Sequence, residues 1–374
     1  MPEILSWPAL LRAAAVFLAC CLVLPLRAEE ACRIAFDLGS SGVRAGSTVS
    51  AQTARTDIDY LADLWADHHL DSTLPATVEA FDQLPRQAEF PANCVRVAGG
   101  FSAWRMALAQ EGADELASAL EKLHRDSGVA ILVVPQKAEG RYGYVAAQGR
   151  LGGELRTSHI LDIGGGSLQV AGRDSAWGGA LGQKAWNRIL CNQLRPGGHP
   201  PCDFRGLSAQ EVAEARRLIG ERLGSLAADI PGPVTLTAIS RPVSQGIHPA
   251  LRQLASTGLL EGASVDAVGF DLDAVRSAIG QLAPLGAEDR IRLTGIAPPF
   301  SVYLLSDLIL VEGILTATGV RRLEVSELDL SNVPGLLADD RAFAWARQYG
   351  CYLDRLRQLG EAAYDADPAA CRRQ

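Results

Sequence analysis

The chain has 374 residues, with 43 acidic side chains against 35 basic ones and a formal charge of −8. Forty-eight percent apolar and 21% charged residues make a globular composition and exclude wholesale disorder. The acidic balance and 6% aromatic content exclude a general nucleic-acid binder, which needs a basic surface and rings for stacking. Such a chain can still bind phosphate, through backbone amides, a few placed arginines or a metal ion.

Residues 1–28 read as a secretory signal. Arg12 precedes an apolar run at 13–26, and Arg27 and the small Ala28 follow before Glu29 and Glu30. The run is shorter than the roughly 20 apolar residues of a membrane-spanning helix. Cleavage near Ala28 is expected, leaving a periplasmic or secreted chain with no stable membrane span. Cys32, Cys94, Cys191, Cys202, Cys351 and Cys371 remain, an even number without a CxxC pair, which reads as disulfides rather than zinc. Nearest-neighbour pairing is the expectation: Cys191–Cys202 closing a Pro/Gly loop, Cys351–Cys371 pinning the C-terminal segment and Cys32–Cys94 joining two strand starts.

Along the chain, residues 33–38 predict an apolar strand running into the turn Gly39-Ser40-Ser41-Gly42. Helical spacing follows at 57–65 and 75–81, a strand at 94–98, and an amphipathic helix at 113–124 with Leu116, Leu120 and Leu123 inward. Strands are expected at 129–134 and 143–147. Residues 159–163 form another, broken by Gly164-Gly165-Gly166-Ser167 and resumed at 168–171 as a hairpin. Ser208 with Glu211 forms a capping box for a helix reaching about residue 226, where Pro231-Gly232-Pro233 stops the pattern. A strand at 234–239, a long apolar helix at 302–318 ended by Gly319, a strand at 323–325 and a helical stretch at 342–359 complete the reading. This alternation predicts an α/β protein with mixed sheets. The expected organisation is a signal (1–28), an N-terminal lobe with both glycine turns (29–175), a C-terminal lobe (176–340) and a helical tail (341–374).

The two glycine turns share a design of apolar strand, aspartate and Gly/Ser turn. Glycines let the backbone approach an anion so that successive N–H groups converge on phosphate oxygens, and Ser40, Ser41 and Ser167 add hydroxyl donors. Asp37 and Asp162, near the strand ends, place two carboxylates about a cleft where they can orient Mg²⁺ or water.

This pair resembles the two phosphate loops of the actin/Hsp70/sugar-kinase superfamily. The wording DIGGGS, with VVPQKAEGRYGYVAAQG upstream, is similar to the exopolyphosphatase/guanosine pentaphosphate phosphatase (Ppx/GppA) family, as are VRVAGGFSAWRMA and the segment GIAPPFSVYLLSDLILVEGILTATGVRRLEVSELDL. The resemblance covers about residues 33–338. It implies two actin-like (ribonuclease H-like) lobes with the site between them, and hydrolysis of inorganic polyphosphate from its end with Mg²⁺ or Mn²⁺. By the same resemblance, Asp37 and Asp162 orient metal and water, and Gly39, Ser40, Ser41, Gly164, Gly165, Gly166 and Ser167 bind phosphate. Glu139 is the general base, and Arg105 contacts the phosphate chain. A homodimer is compatible with the family. No histidine is followed by aspartate, so the metal-hydrolase domain of the long family members is not expected.

Two departures stand out. The second loop of the family ends in glutamate, where this chain has Gln169. Its third glycine element corresponds to Ala238-Ile239-Ser240-Arg241-Pro242, in which Arg241 either binds the anion or blocks the cleft. The alternatives are a catalytically weakened phosphate- or polyphosphate-binding protein and a guanosine pentaphosphate phosphatase; export disfavours the latter, whose substrate is made inside the cell.

Overall fold

The computed structural model describes residues 32–328 and 330–373; the expected signal, residues 1–28, lies outside the described residues. Two mixed sheets organise the chain. The first holds β1 (Arg33–Leu38), β2 (Val43–Ser47), β3 (Ser50–Thr56), β4 (Val95–Gly100) and β5 (Ala130–Val133), in the order β3-β2-β1-β4-β5. The second holds β6 (His159–Ile163), β7 (Leu168–Gly172), β8 (Ala176–Gly179), β9 (Leu236–Ala238), β10 (Gly269–Asp271) and β11 (Arg322–Val325), in the order β10-β11-β9-β6-β7-β8.

The sheets repeat one plan. A three-stranded antiparallel meander, β1-β2-β3 or β6-β7-β8, puts its first strand beside a parallel neighbour, β4 or β9. A further parallel strand follows, β5 or β11. What recurs is strand alternation around a glycine turn, which needs few repeated side chains, so beyond the two turns themselves the self-similarity is not visible in the sequence.

Sheet membership corrects the expected boundary. β7 and β8 pair within one sheet, so a division at 175 would cut a meander, and the second glycine turn belongs with the second sheet. The expected strand at 143–147 is the middle of helix Gln136–Leu151. Tyr142, Ala146 and Ala147 bury one face at helical spacing. On the same helix a Cβ on Gly140 would stand 3.0 Å from the Ala171 Cβ of β7, so glycine there lets the helix lie directly on the second sheet.

Helix Phe300–Thr318 passes for a membrane span by length and composition. In the fold it is the core of the second unit, with Leu304, Leu308, Val311 and Leu315 buried against Leu161, Trp186 and Phe270. Gly319 ends it at φ 68°, a left-handed conformation glycine takes without a Cβ penalty. The tail forms two helices, Asp340–Ala346 and Tyr349–Leu359, and joins the first core through Phe343, Trp345 and Tyr352. Tyr349 Oη bonds both the N–H and the C=O of Ile131, and Tyr352 Oη accepts from Val133 N at 2.7 Å. The open edge of β5 is thereby covered. The cysteines pair as Cys32–Cys94, Cys191–Cys202 and Cys351–Cys371, the nearest-neighbour arrangement, with Cα separations of 4.6, 5.5 and 6.1 Å.

Candidate active site

The two glycine turns are structurally equivalent. Gly39 N donates to Gly42 O at 3.0 Å in the first, and Gly164 N to Ser167 O at 2.9 Å in the second. Asp37 lies opposite Arg44 and Asp162 opposite Gln169, at the same step of each hairpin. Although they belong to different sheets, the turns touch: a Cβ on Gly165 would fall 2.5 Å from Ser40 Oγ.

Helix Gln183–Leu194 fixes how the second turn faces. Gln183 N donates to Gly164 O at 2.9 Å, and Lys184 N to Gly165 O at 2.8 Å. In a planar trans peptide the N–H points opposite to the C=O, so the amides of Gly165 and Gly166 face away from that helix. A Cβ on Gly182 would come within 2.5 Å of Gly164 O and Ser167 N, which explains glycine at this close backbone approach.

Between the sheets lies a cleft of ≈ 350 Å³ lined by Asp37, Gly39, Ser40, Ser41, Glu139, Asp162, Gly164, Gly165, Ser167 and Arg241. Arg241 is exposed at its rim. Two expected phosphate ligands are not on this wall. Gly166 is turned toward helix Ser102–Glu111, where an added Cβ would meet Ser102 Oγ at 2.4 Å. Arg105 is buried, donating from Nη1 to Val134 O at 2.7 Å and from Nη2 to Glu139 Oε2 at 2.5 Å. Its guanidinium is engaged by Glu139 rather than presented to a ligand.

Glu139 sits in the first turn of helix Gln136–Leu151, 6% exposed. Besides Arg105, Gln169 Nε2 donates to its Oε2 at 2.9 Å and to Gln136 Oε1 at 2.8 Å. Burial pushes the Glu139 carboxyl above its ordinary range, and the Arg105 guanidinium pulls it back only in part. Asp37 is likewise raised by burial, opposed by the Asn332 amide, which donates to its Oδ2 at 3.0 Å, and by the charge of Arg44. Burial, followed by the charges of Glu139 and Asp37, pushes Asp162 up to about 7.

Asp162 therefore works against the fold when ionised. Its folded carboxyl keeps the proton to about pH 7, whereas an unfolded one releases it near pH 4, so stability falls as pH rises through that window. Asp162→Asn is expected to raise the melting temperature at pH 8 by about 2–4 °C and to leave it nearly unchanged at pH 4, a difference read by thermal denaturation at the two pH values.

Several cleft residues escaped the sequence reading. Arg44, Lys184 and Asn332 line the wall. Ser102 and Ser240 also line it, and their buried hydroxyls have no hydrogen-bond partner among the described residues. Ser102 and Ser240 lay in segments already singled out. The others come from an unremarkable second strand, a helix start and a loop after β11.

Among the described residues no three His, Cys, Asp or Glu side chains converge as a metal cage. The hard oxygen donors of Asp37 and Asp162 fit Mg²⁺ in its usual manner, with one or two carboxylates and the remaining positions left to water and phosphate. Burial raises Asp162 most, with the charges of Glu139 and Asp37 adding to it, and a cation there would offset both penalties on its ionised form.

No protein-family model matches the chain. An uncharacterized protein of Streptomyces coelicolor is 30% identical over 210 residues, 54% of this chain. The match spans 58% of that curated relative's length. A solved Ppx/GppA family member from Aquifex aeolicus superposes with a TM-score of 0.58 at 16% identity, covering 82% of this chain and 96% of that one. An exopolyphosphatase from Cytophaga hutchinsonii gives 0.55 at 14% identity, over 82% and 96%. The chain thus shares the overall fold of these solved Ppx/GppA and exopolyphosphatase structures.

Proposed function

We propose that the chain belongs to the Ppx/GppA family and is an exported phosphoanhydride hydrolase that releases terminal phosphate from inorganic polyphosphate. The observation that carries this is Glu139, buried where two glycine turns meet and anchored through one oxygen by Arg105 and Gln169. Phosphoryl transfer asks a protein mainly for an aligned nucleophile and charge stabilisation. The turn amides with Ser40, Ser41 and Ser167 hold the terminal phosphate. Glu139, made more basic by burial, orients and deprotonates the attacking water. Arg105 positions Glu139. Mg²⁺ held by Asp37 and Asp162 would neutralise phosphate charge. Arg44, Arg55, Lys184 and Arg241 also line the cleft and set cations among its carboxylates, suiting a ligand of several phosphates. The three cysteine pairs support an oxidising location outside the cytoplasm.

The test is orthophosphate release from long-chain polyphosphate with Mg²⁺, resolved by chain length. The expected pattern is gradual shortening from the ends; retained length with no orthophosphate would refute the activity. One observation favours the second reading, a binding protein with weakened turnover: Gln169 donates to the very oxygen that Arg105 already neutralises, lowering the basicity of Glu139. Gln169→Glu replaces that donor with a carboxylate and is expected to raise turnover about tenfold where basicity limits the rate. A fall in turnover, with the fold intact by circular dichroism, would show that the amide is needed to hold Glu139.

A further inference from the structure

Lys184 is the second residue of helix Gln183–Leu194, and its backbone is tied to the second glycine turn through the bond from its N–H to Gly165 O. Its side chain lines the cleft. The ammonium does not sit free there: Nζ donates at 2.8 Å to Oδ2 of Asp59, which belongs to the segment following the first meander. This ion pair joins the two units, with the side chains 27% and 48% exposed. One turn further along the same helix, Arg188 stacks over Trp65 at 4.9 Å, a second contact between the same two helices.

The two contacts differ in what breaking them leaves behind. Asp59 caps helix Tyr60–Asp67 by accepting from Ala62 N through Oδ1 at 3.1 Å, so it retains a partner when Lys184 leaves. An exposed ion pair contributes little net stability because water and salt compete with it. A phosphate oxygen beside the glycine turn offers the ammonium higher charge density at no cost in orphaned groups.

We propose that Lys184 is a substrate-binding arm: it is parked on Asp59 when the cleft is empty and transfers to the second phosphate of a polyphosphate chain, while Arg188 on Trp65 keeps the helices in place. This inference rests on the reading above that the cleft takes a phosphate chain. It makes Asp59 a competitor of the substrate, so removing either partner has opposite consequences. Lys184→Gln weakens binding, whereas Asp59→Asn strengthens it because the arm is released.

The test is calorimetric titration of inorganic tripolyphosphate into the full chain carrying Glu139→Gln, so that the probe is not consumed, at low and at physiological salt. Lys184→Gln is expected to raise Kd about tenfold and to flatten its salt dependence, and Asp59→Asn to lower Kd about two- to threefold at low salt. Lys137→Gln, which removes the Lys137–Asp229 ion pair away from the cleft, serves as a charge control and is expected to leave Kd unchanged. If the parent protein binds no tripolyphosphate, both this inference and the polyphosphate reading fall. If the parent binds and Lys184→Gln binds equally well, the arm alone is overturned. Weakening by Asp59→Asn equal to that of Lys184→Gln also overturns it, since the ion pair would then be a fixed strut.

Discussion

Glu139→Gln is expected to lower phosphate release by about 10²–10⁴-fold while leaving polyphosphate affinity within about twofold. The substitution is nearly isosteric and keeps an oxygen that accepts from Arg105 and Gln169. What it removes is the capacity to take a proton from water. Burial raises that capacity by penalising the carboxylate, whereas Arg105 at 2.5 Å diminishes it; the balance on Glu139 favours burial. Steady-state release together with a binding titration separates the two quantities. A parallel loss of affinity would instead mean that Glu139 contacts the ground-state phosphate.

Arg105→Met is expected to destabilise the protein by about 3–5 kcal/mol, read from urea denaturation at pH 7.5. Both partners of the Arg105–Glu139 pair are buried, with side chains 6% and 8% exposed, so the methionine variant leaves a buried carboxylate without its counter-charge. Most of the cost is that stranded charge. The double variant Arg105→Met/Glu139→Gln should therefore recover much of the loss, because a neutral amide tolerates the site better. An additive double variant would show that the arginine acts through its bond to Val134 O and its packing instead.

The pair also marks where sequence reasoning stopped. The pattern of apolar strand, aspartate and glycine is local, so Asp37 and Asp162 were legible as the ends of two hairpins, and the structure gives them equivalent registers. That the turns touch depends on how two sheets pack, which no short motif encodes. The family resemblance implied that Arg105 contacts phosphate; the fold instead sets it against the first turn of the helix that follows β5, where it pairs with Glu139. The short apolar stretch at 143–147 read as a strand; the segment is helical, although the glycines of that helix are poor helix formers. At Gly140 close packing on β7 outweighs the propensity. Gln169 was noted only as a missing carboxylate. Its hydrogen bond to Glu139 gives the departure a chemical consequence that the sequence did not show.

The positions of Lys184 and Asn332 were illegible for a related reason. Each reaches the cleft from an element whose own pattern is ordinary, a helix start and a loop, and only tertiary packing brings them beside the glycine turns. Asn332 illustrates this most simply: its backbone amide, with no sequence signature, is the donor that opposes the desolvation of Asp37.

The proposed activity requires attack of water at a terminal phosphate held between the two turns. Incubating the full chain with long-chain polyphosphate and Mg²⁺ in ¹⁸O-enriched water tests it, with the released orthophosphate analysed by mass. The expected result is one solvent-derived oxygen in each orthophosphate, formed in proportion to enzyme. Polyphosphate that stays bound and intact, with no labelled orthophosphate, would contradict the hydrolytic assignment and make the cleft a binding site.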